Sequence, residues 1–204
     1  MTNTVKVTRK ELNSVGIYEA YVGCTLSDYL GPEAIAKKIG KYIRDFDEMS
    51  EDGVSLYFVG PFNTGKTMMA NIIAKNLMCK GKVVRVIDMR DMVEFCWDNW
   101  RNKGDAREKF SEQILESDLL VIDDVGKETP SENTTSTLEF VLKHRVKRRR
   151  CTVLTSNKSK QLLAQDFGSS LKHLLNRAFV TVEFPVVDGL EDEMIVNLAN
   201  KLED

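Results

Sequence analysis

Apolar positions along the chain alternate between two periods. Ile35, Ile39, Tyr42, Ile43 and Phe46 fall on one face of a helix, and Gly31-Pro32-Glu33 opens it with proline in the first turn. After the turn Glu51-Asp52-Gly53, the run Val54 to Val59 has the length and β-former content of a buried strand. The spacing then predicts a helix over Lys66 to Lys80, closed by Gly81. The alternation repeats. Strands are predicted at Val83 to Ile87, Leu119 to Ile122, Thr152 to Thr155 and Val180 to Phe184. Between them lie helical stripes: Met89, Met92, Val93, Cys96 and Trp100; Leu138, Val141, Leu142 and Arg145; Leu171, Leu174, Leu175 and Ala178. Asn102-Lys103-Gly104 breaks the first of these, and a short helix is expected around Phe110 and Ile114. Such a pattern predicts an α/β fold, a five-stranded parallel sheet sandwiched by helices that act as crossovers.

The chain of 204 residues fits one domain over 1–204. Residues 1–30 read as a lead-in. Residues 186–204 read as a short acidic tail in which Met194, Ile195, Leu198 and Leu202 suggest one small amphipathic helix. Lys and Arg total 29 against 31 Asp and Glu, a net charge of −2, so any nucleic-acid contact must come from a local patch. No apolar run approaches the roughly 20 residues of a membrane helix, and Met1 to Lys10 holds no apolar signal core. The expected partners therefore include no membrane. Cys24, Cys79, Cys96 and Cys151 are far apart and only two histidines are present, which argues against zinc and for reduced thiols in a cytoplasmic setting.

The chemistry concentrates where strands end. Gly60, Pro61, Phe62, Asn63, Thr64, Gly65, Lys66 and Thr67 match GxxxxGK[ST] between a predicted strand and a predicted helix. A loop of this kind curls its backbone N–H groups around phosphate oxygens, and the helix N-terminus adds positive potential. Lys66 would reach the β- and γ-phosphates of ATP, and Thr67 would bind Mg²⁺. A glycine turn that merely caps a helix is the simpler alternative. Leu119 to Asp124 is an apolar strand ending in two carboxylates, where open α/β sheets bind ligands. Asp123 would hold Mg²⁺ through water and Asp124 would polarise the attacking water. Thr155-Ser156-Asn157 ends the next strand, and Asn157 would orient that water or serve only as a turn residue.

These residues carry a resemblance. Leu56 to Gly60 leading into Thr64-Gly65-Lys66-Thr67, then Leu120 to Gly126, then Thr152 to Asn157, resemble the AAA+ ATPases of the DnaC/DnaI helicase-loader type and the related IstB transposition helpers. Thr25 to Tyr29 is similar to the segment preceding their first helix. The resemblance covers roughly residues 15–185. It implies a P-loop NTPase of the AAA+ type; the lid is expected to be reduced or absent, and the tail departs from the pattern in showing no arginine for a second sensor. It implies an ATPase acting in DNA replication that binds single-stranded DNA and a replicative helicase. The alternatives within reach are an IstB-like transposition helper acting on duplex DNA, or a nucleotide-dependent regulatory module with negligible turnover. A fourth, a small-molecule kinase, has no use for the Thr-Ser-Asn strand end.

By the same resemblance, Arg145 matches a recurrent arginine, and Leu174 to Arg177 matches the segment that carries the arginine finger. Arg177 would then complete the site of a neighbour in an ATP-dependent homo-oligomer; alone it reads as a helix-end charge. Two departures stand out. Only about 50 residues precede the first predicted strand, so a helicase-gripping domain like that of the loaders is expected to be absent or supplied differently. Asp124 stands where AAA+ proteins commonly carry Glu, which points to slow hydrolysis.

Lys143, Arg145, Lys147, Arg148, Arg149 and Arg150 place six cations within eight residues. A helix end accounts for two or three of them. The number present marks the segment as a candidate phosphate-binding surface for DNA. Trp100 reads as core, while Trp97 stays open as a DNA contact.

Overall fold

The computed structural model describes residues 5–101, 108, 111–127 and 130–186. In chain order it contains α1 (Arg9–Ser14), two short 3-10 turns (Glu19–Tyr21 and Leu26–Asp28), α2 (Glu33–Arg44), α3 (Phe46–Glu51) and β1 (Ser55–Val59). There follow α4 (Lys66–Cys79), β2 (Val84–Asp88), α5 (Met89–Arg101), a π-helical turn (Ser111–Leu115) and β3 (Leu119–Asp123). The rest is α6 (Glu132–Lys147), β4 (Cys151–Ser156), α7 (Lys160–Phe167), α8 (Ser169–Ala178) and β5 (Phe179–Glu183). The helix expected around Phe110, the break at Asn102 to Gly104, the Trp100 side chain and the tail helix over Met194 to Leu202 fall outside the described residues.

The sheet is parallel throughout, in the order β2-β3-β4-β1-β5. The period of two divides its side chains between two cores. Leu56, Phe58, Val84, Val86, Leu119, Val121, Val153 and Val182 point to the layer formed with α2 and α4. Tyr57, Ile87, Leu120, Ile122, Leu154 and Phe179 point to the layer formed with α5, α6, α7 and α8. Burial on both faces explains why β3 and β4 show no polar alternation. The order puts β3 two places from β1, with β4 between them. The phosphate loop after β1 and the two aspartates ending β3 therefore face each other across the carboxyl end of β4.

The lead-in is built rather than loose. Thr8 and Glu11 form a reciprocal capping box on α1. The Val86 N–H donates to the Val15 carbonyl at 2.8 Å, tying the arm to the free edge of β2. The arm then crosses α4, whose Lys75 donates to the carbonyls of Val22 and Cys24. Covered by the sheet on one side and the arm on the other, α4 buries residues around most of its circumference.

Two expectations change. The first helix stops at Arg44, and Phe46 belongs to α3, because Asp45 leaves the helical conformation at φ −99° and ψ 23°. A helix that the spacing did not predict, α7, lies between β4 and α8, capped by Ser159 and ended at Gly168.

Candidate functional site

The site is assembled where β1, β3 and β4 end. The αL conformation of Gly65, φ +87°, opens α4, and a Cβ there would press on the Tyr29 ring from the arm. Lys66 is 5% exposed, and its ammonium donates to the carbonyls of Gly60 at 2.9 Å and Pro61 at 2.5 Å. Burial lowers its pKa, while the charges of Asp124 and Asp123 pull it back up. Thr64 closes the loop by donating to the Pro61 carbonyl at 3.0 Å. Phe62 stands out at the loop tip, 68% exposed, and Asn63 takes a left-handed φ of 58°.

Asp123 joins three elements. Its Oδ1 accepts from Thr67 Oγ1 at 3.0 Å, across from α4, and from Thr155 Oγ1 at 2.5 Å, from β4. Burial raises its pKa; the hydroxyl donors from Thr155 and Thr67 oppose that. Thr155 Oγ1 also accepts the Asp124 N–H at 3.0 Å. One hydroxyl thus fixes the spacing of both carboxylates. Asp124 leaves β3 in a left-handed conformation at φ 57°, and its Oδ2 is paired with Lys127 Nζ at 2.9 Å. Asn157 follows β4 directly and is half-buried, beside the start of the phosphate loop, where the Gly60 N–H donates to the Ser156 carbonyl at 3.3 Å. Thr155, not Asn157, is the residue of that strand end that touches Asp123.

Sequence spacing missed two neighbours of this centre. Tyr18, from the arm, lies against Asp123. Its phenol is raised well above the ordinary tyrosine pKa by burial, then by the charges of Asp123 and Asp88. Its N–H donates to Asn71 Oδ1 at 3.0 Å, and Asn71 donates in turn to the Thr67 carbonyl at 2.8 Å. The other is Lys127. Neither lies in a periodic segment, so nothing in the pattern marked them.

The donor set suits a hard divalent cation. Thr67 hydroxyl and Asp123 carboxylate are both oxygen ligands, and they already meet at 3.0 Å.

Arg177 is not part of this cluster. It is exposed near the end of α8, two residues before β5 starts at the amino edge of the sheet. The phosphate loop is at the opposite edge, about 16 Å away along a five-residue strand at ~3.3 Å per residue. From there its side chain is far from the phosphate loop of its own chain.

The basic segment also lies at the amino edge, before β4, and the structure corrects part of its reading. Arg145 is 0% exposed and cannot reach DNA. Its guanidinium donates to the carbonyls of Ile114, Leu115, Ser117 and Cys151 and to the hydroxyls of Thr152 and Ser117. Most of the others already have partners. Lys143 pairs with Glu139, Arg148 with Glu116, and Arg150 with Glu116 and Asp118, while Arg149 donates to the Glu51 carbonyl. Lys147 is exposed and has no ion pair or hydrogen bond among the described residues. Trp97 is 36% exposed on α5, beside the acidic side chains of Glu94 and Asp98. Among the described residues no helix is long and apolar enough to cross a membrane.

Comparisons with known proteins agree with this geometry. The family model described as IstB-like ATP binding protein matches residues 34–179. The chain is 26% identical over 164 residues to the replicative helicase loader DnaC of Escherichia coli K12, covering 78% of this chain and 66% of the relative. It thus spans just under two thirds of the length of that relative. It is also 28% identical over 148 residues to the uncharacterised protein YdaV of the same strain, 72% of this chain and 57% of that one. Among solved structures, the DnaC helicase loader superposes with a TM-score of 0.73 at 22% identity, over 82% of this chain and 99% of that one. The replication initiator DnaA bound to AMPPCP and single-stranded DNA superposes with a TM-score of 0.71 at 17% identity, over 92% and 57%. The phosphate loop, the paired aspartates and a family match over well more than half of the chain lead to one conclusion: the protein belongs to the IstB-like ATP-binding family of AAA+ ATPases.

Proposed function

We propose that the protein hydrolyses ATP with Mg²⁺ at the carboxyl end of its sheet, and that it works as a helicase-loader-like ATPase in DNA replication. The observation that carries the hydrolytic reading is the Thr67–Asp123–Thr155–Asp124 chain. It sets a metal-binding pair beside a second carboxylate on a fixed spacing.

In this reading the loop amides and Lys66 bind the phosphates. Thr67 and Asp123 would hold Mg²⁺, which would supply charge neutralisation for the transferred phosphoryl group. Asp124 orients the attacking water and accepts its proton as the water oxygen bonds to the γ-phosphorus; the bond to the bridging oxygen breaks, leaving ADP and inorganic phosphate. Asn157 holds the water from the β4 side. Arg177 of one protomer stabilises the γ-phosphate charge in the next, so ATP drives homo-oligomer assembly. The basic segment offers DNA far less than its six cations suggested. Lys147 and the partly paired Arg148 and Arg149 are its remaining candidates for single-stranded DNA phosphates.

The replication reading rests on the relatives: the helicase loader DnaC is a replicative protein by name, and the chain matches it over most of its own length. The family model favours a second reading, an IstB-like helper acting on duplex DNA. Steady-state ATPase with single-stranded and duplex oligonucleotides, and co-purification with a replicative helicase in ATP, test the proposal. Turnover stimulated by single strands and a helicase complex are expected. Stimulation by duplex alone would favour the transposition reading, and absence of turnover in assembled protein would refute the hydrolytic one.

A further inference from the structure

One oxygen of Asp124 already has a partner. Its Oδ2 accepts a hydrogen bond from Lys127 Nζ at 2.9 Å, an ion pair between residues three apart. The turn that makes this contact is fixed at both ends. On one side the Asp124 N–H is held by Thr155 Oγ1, the Val125 N–H donates to the Thr155 carbonyl at 2.9 Å, and Ser156 Oγ donates to the Val125 carbonyl at 2.6 Å. On the other, Gly126 has φ +82° and is packed so tightly that a Cβ would collide with Leu163 of α7. The Lys127 N–H then closes the turn on the Asp124 carbonyl at 3.3 Å. The backbone thus aims the lysine at that carboxylate, and the contact does not depend on a flexible loop finding it.

The lysine itself can move. Its side chain is 59% exposed against 28% for Asp124. A cavity of about 240 Å³ opens beside the pair, with Asp88, Arg90, Asp124, Lys127 and Thr134 in its walls. Asp88 at the end of β2 is the register partner of Asp123, and its charge also acts on Lys127. Lys127 therefore has a second anionic wall to swing toward, across a space wide enough for its ammonium.

We propose that Lys127 is a charge latch on Asp124: paired, it occupies one of the two carboxylate oxygens and holds that carboxylate in place, and full turnover requires it to let go. The lysine is a positioning residue, since it acts through Asp124. An ammonium hydrogen-bonded to a carboxylate oxygen takes up lone pairs that a water would otherwise use. This makes the resting rate low by construction and gives any partner that draws the ammonium away a means to raise it. The inference rests on the reading of Asp124 as the group that takes the proton from water.

The test is steady-state ATPase on Lys127→Met, Lys127→Arg, Asp124→Asn and the Asp124→Asn/Lys127→Met double variant, each checked for an unchanged urea midpoint. Lys127→Met is expected to raise kcat about two- to fivefold, the scale of one partly exposed charged contact, with KM for ATP within about twofold. Lys127→Arg should keep the parental kcat, because a guanidinium still pairs with the carboxylate. The double variant should be as inactive as Asp124→Asn. Unchanged or lower kcat in Lys127→Met, or a rise of the same size in Lys127→Arg, would overturn the latch. The two failures separate cleanly. If Asp124→Asn keeps parental turnover, the role of Asp124 is wrong. If Asp124→Asn is inactive while Lys127→Met matches the parent, the role of Asp124 stands and the latch falls.

Discussion

Replacing Arg145 by Met separates a structural arginine from a DNA-binding one. The guanidinium donates to Cys151 O at 2.6 Å, Ile114 O at 2.8 Å, Ser117 O at 3.1 Å and Leu115 O at 3.3 Å, and to Thr152 Oγ1 at 3.0 Å and Ser117 Oγ at 3.2 Å. It therefore ties the π-helical turn and the start of β3 to the start of β4. Among the described residues no carboxylate pairs with it, and burial pulls its pKa down to about 9, which leaves it charged at neutral pH. Met fills the volume of the stem and supplies no donor. Each carbonyl left dry costs about 1–3 kcal/mol. Relief from burying a charge returns several kcal/mol, so the net loss is about 3–5 kcal/mol. That is a large share of the ~5–15 kcal/mol that stabilises a typical domain. In urea, at an m-value of about 2–3 kcal/mol/M, the midpoint should fall by roughly 1–2 M. Oligonucleotide titrations over a range of salt, run on the folded variant, should give plots parallel to the parent. A midpoint within about 0.3 M of the parent, together with a flatter salt plot, would refute this account and return Arg145 to the surface.

Three other outcomes test the site. Lys66→Ala should lose ATP affinity, because a charge-assisted phosphate contact disappears; equilibrium binding of a fluorescent ATP analogue reads this, and unchanged affinity in a folded variant would exclude the loop. Arg177→Ala and Asp124→Asn should each bind ATP yet hydrolyse little. Mixed, they should recover part of the turnover, since one interface then combines an intact carboxylate with an intact finger. No recovery in a mixture shown to co-assemble would argue against action in trans. Lys147→Gln should flatten the log–log salt dependence of single-strand binding by no more than about 0.7. A Lys147, Arg148 and Arg149 triple change should fall short of a slope change of roughly 2, because Glu116 and the Glu51 carbonyl already hold two of the three cations. A full change of 2 would show that DNA displaces those internal partners.

How much of this was legible depended on the kind of signal. Strands buried on both faces announce themselves as continuous apolar runs, so β1, β3 and β4 are found to within a residue or two. The phosphate loop is legible because its chemistry fixes residue types at fixed spacing. Two short helices escaped for want of an apolar stripe. Only Leu12 is buried in α1 and only Leu163 and Phe167 in α7, although both helices carried a legible cap, Thr8 with Glu11 in one and Ser159 in the other. Tyr18 and Lys127 escaped for a different reason. Each reaches an aspartate through space, Tyr18 from an arm that first runs along the β2 edge and Lys127 around a left-handed turn. No one-dimensional pattern encodes either path.

Arg145 shows how two legible signals can conflict. It lies three residues after Leu142, four after Val141 and seven after Leu138, the spacing of one helical face, and all three of those leucine and valine side chains are buried. It also lies among five other cations, which argues for a surface. The period decides, because a helix cannot turn one residue of a stripe outward without turning the rest. Charge then determines what the buried residue must find, here four carbonyls and two hydroxyls at the ends of β3 and β4. The same logic bounds the rest of the segment. Lys143, Lys147 and Arg148 are off the stripe and exposed, yet Glu139 and Glu116, both partly buried, lie within reach and take up two of them. A count of cations measures a phosphate-binding surface only after the buried one and the paired ones are subtracted. By that measure Lys147 is the residue through which this end of the molecule would first feel DNA.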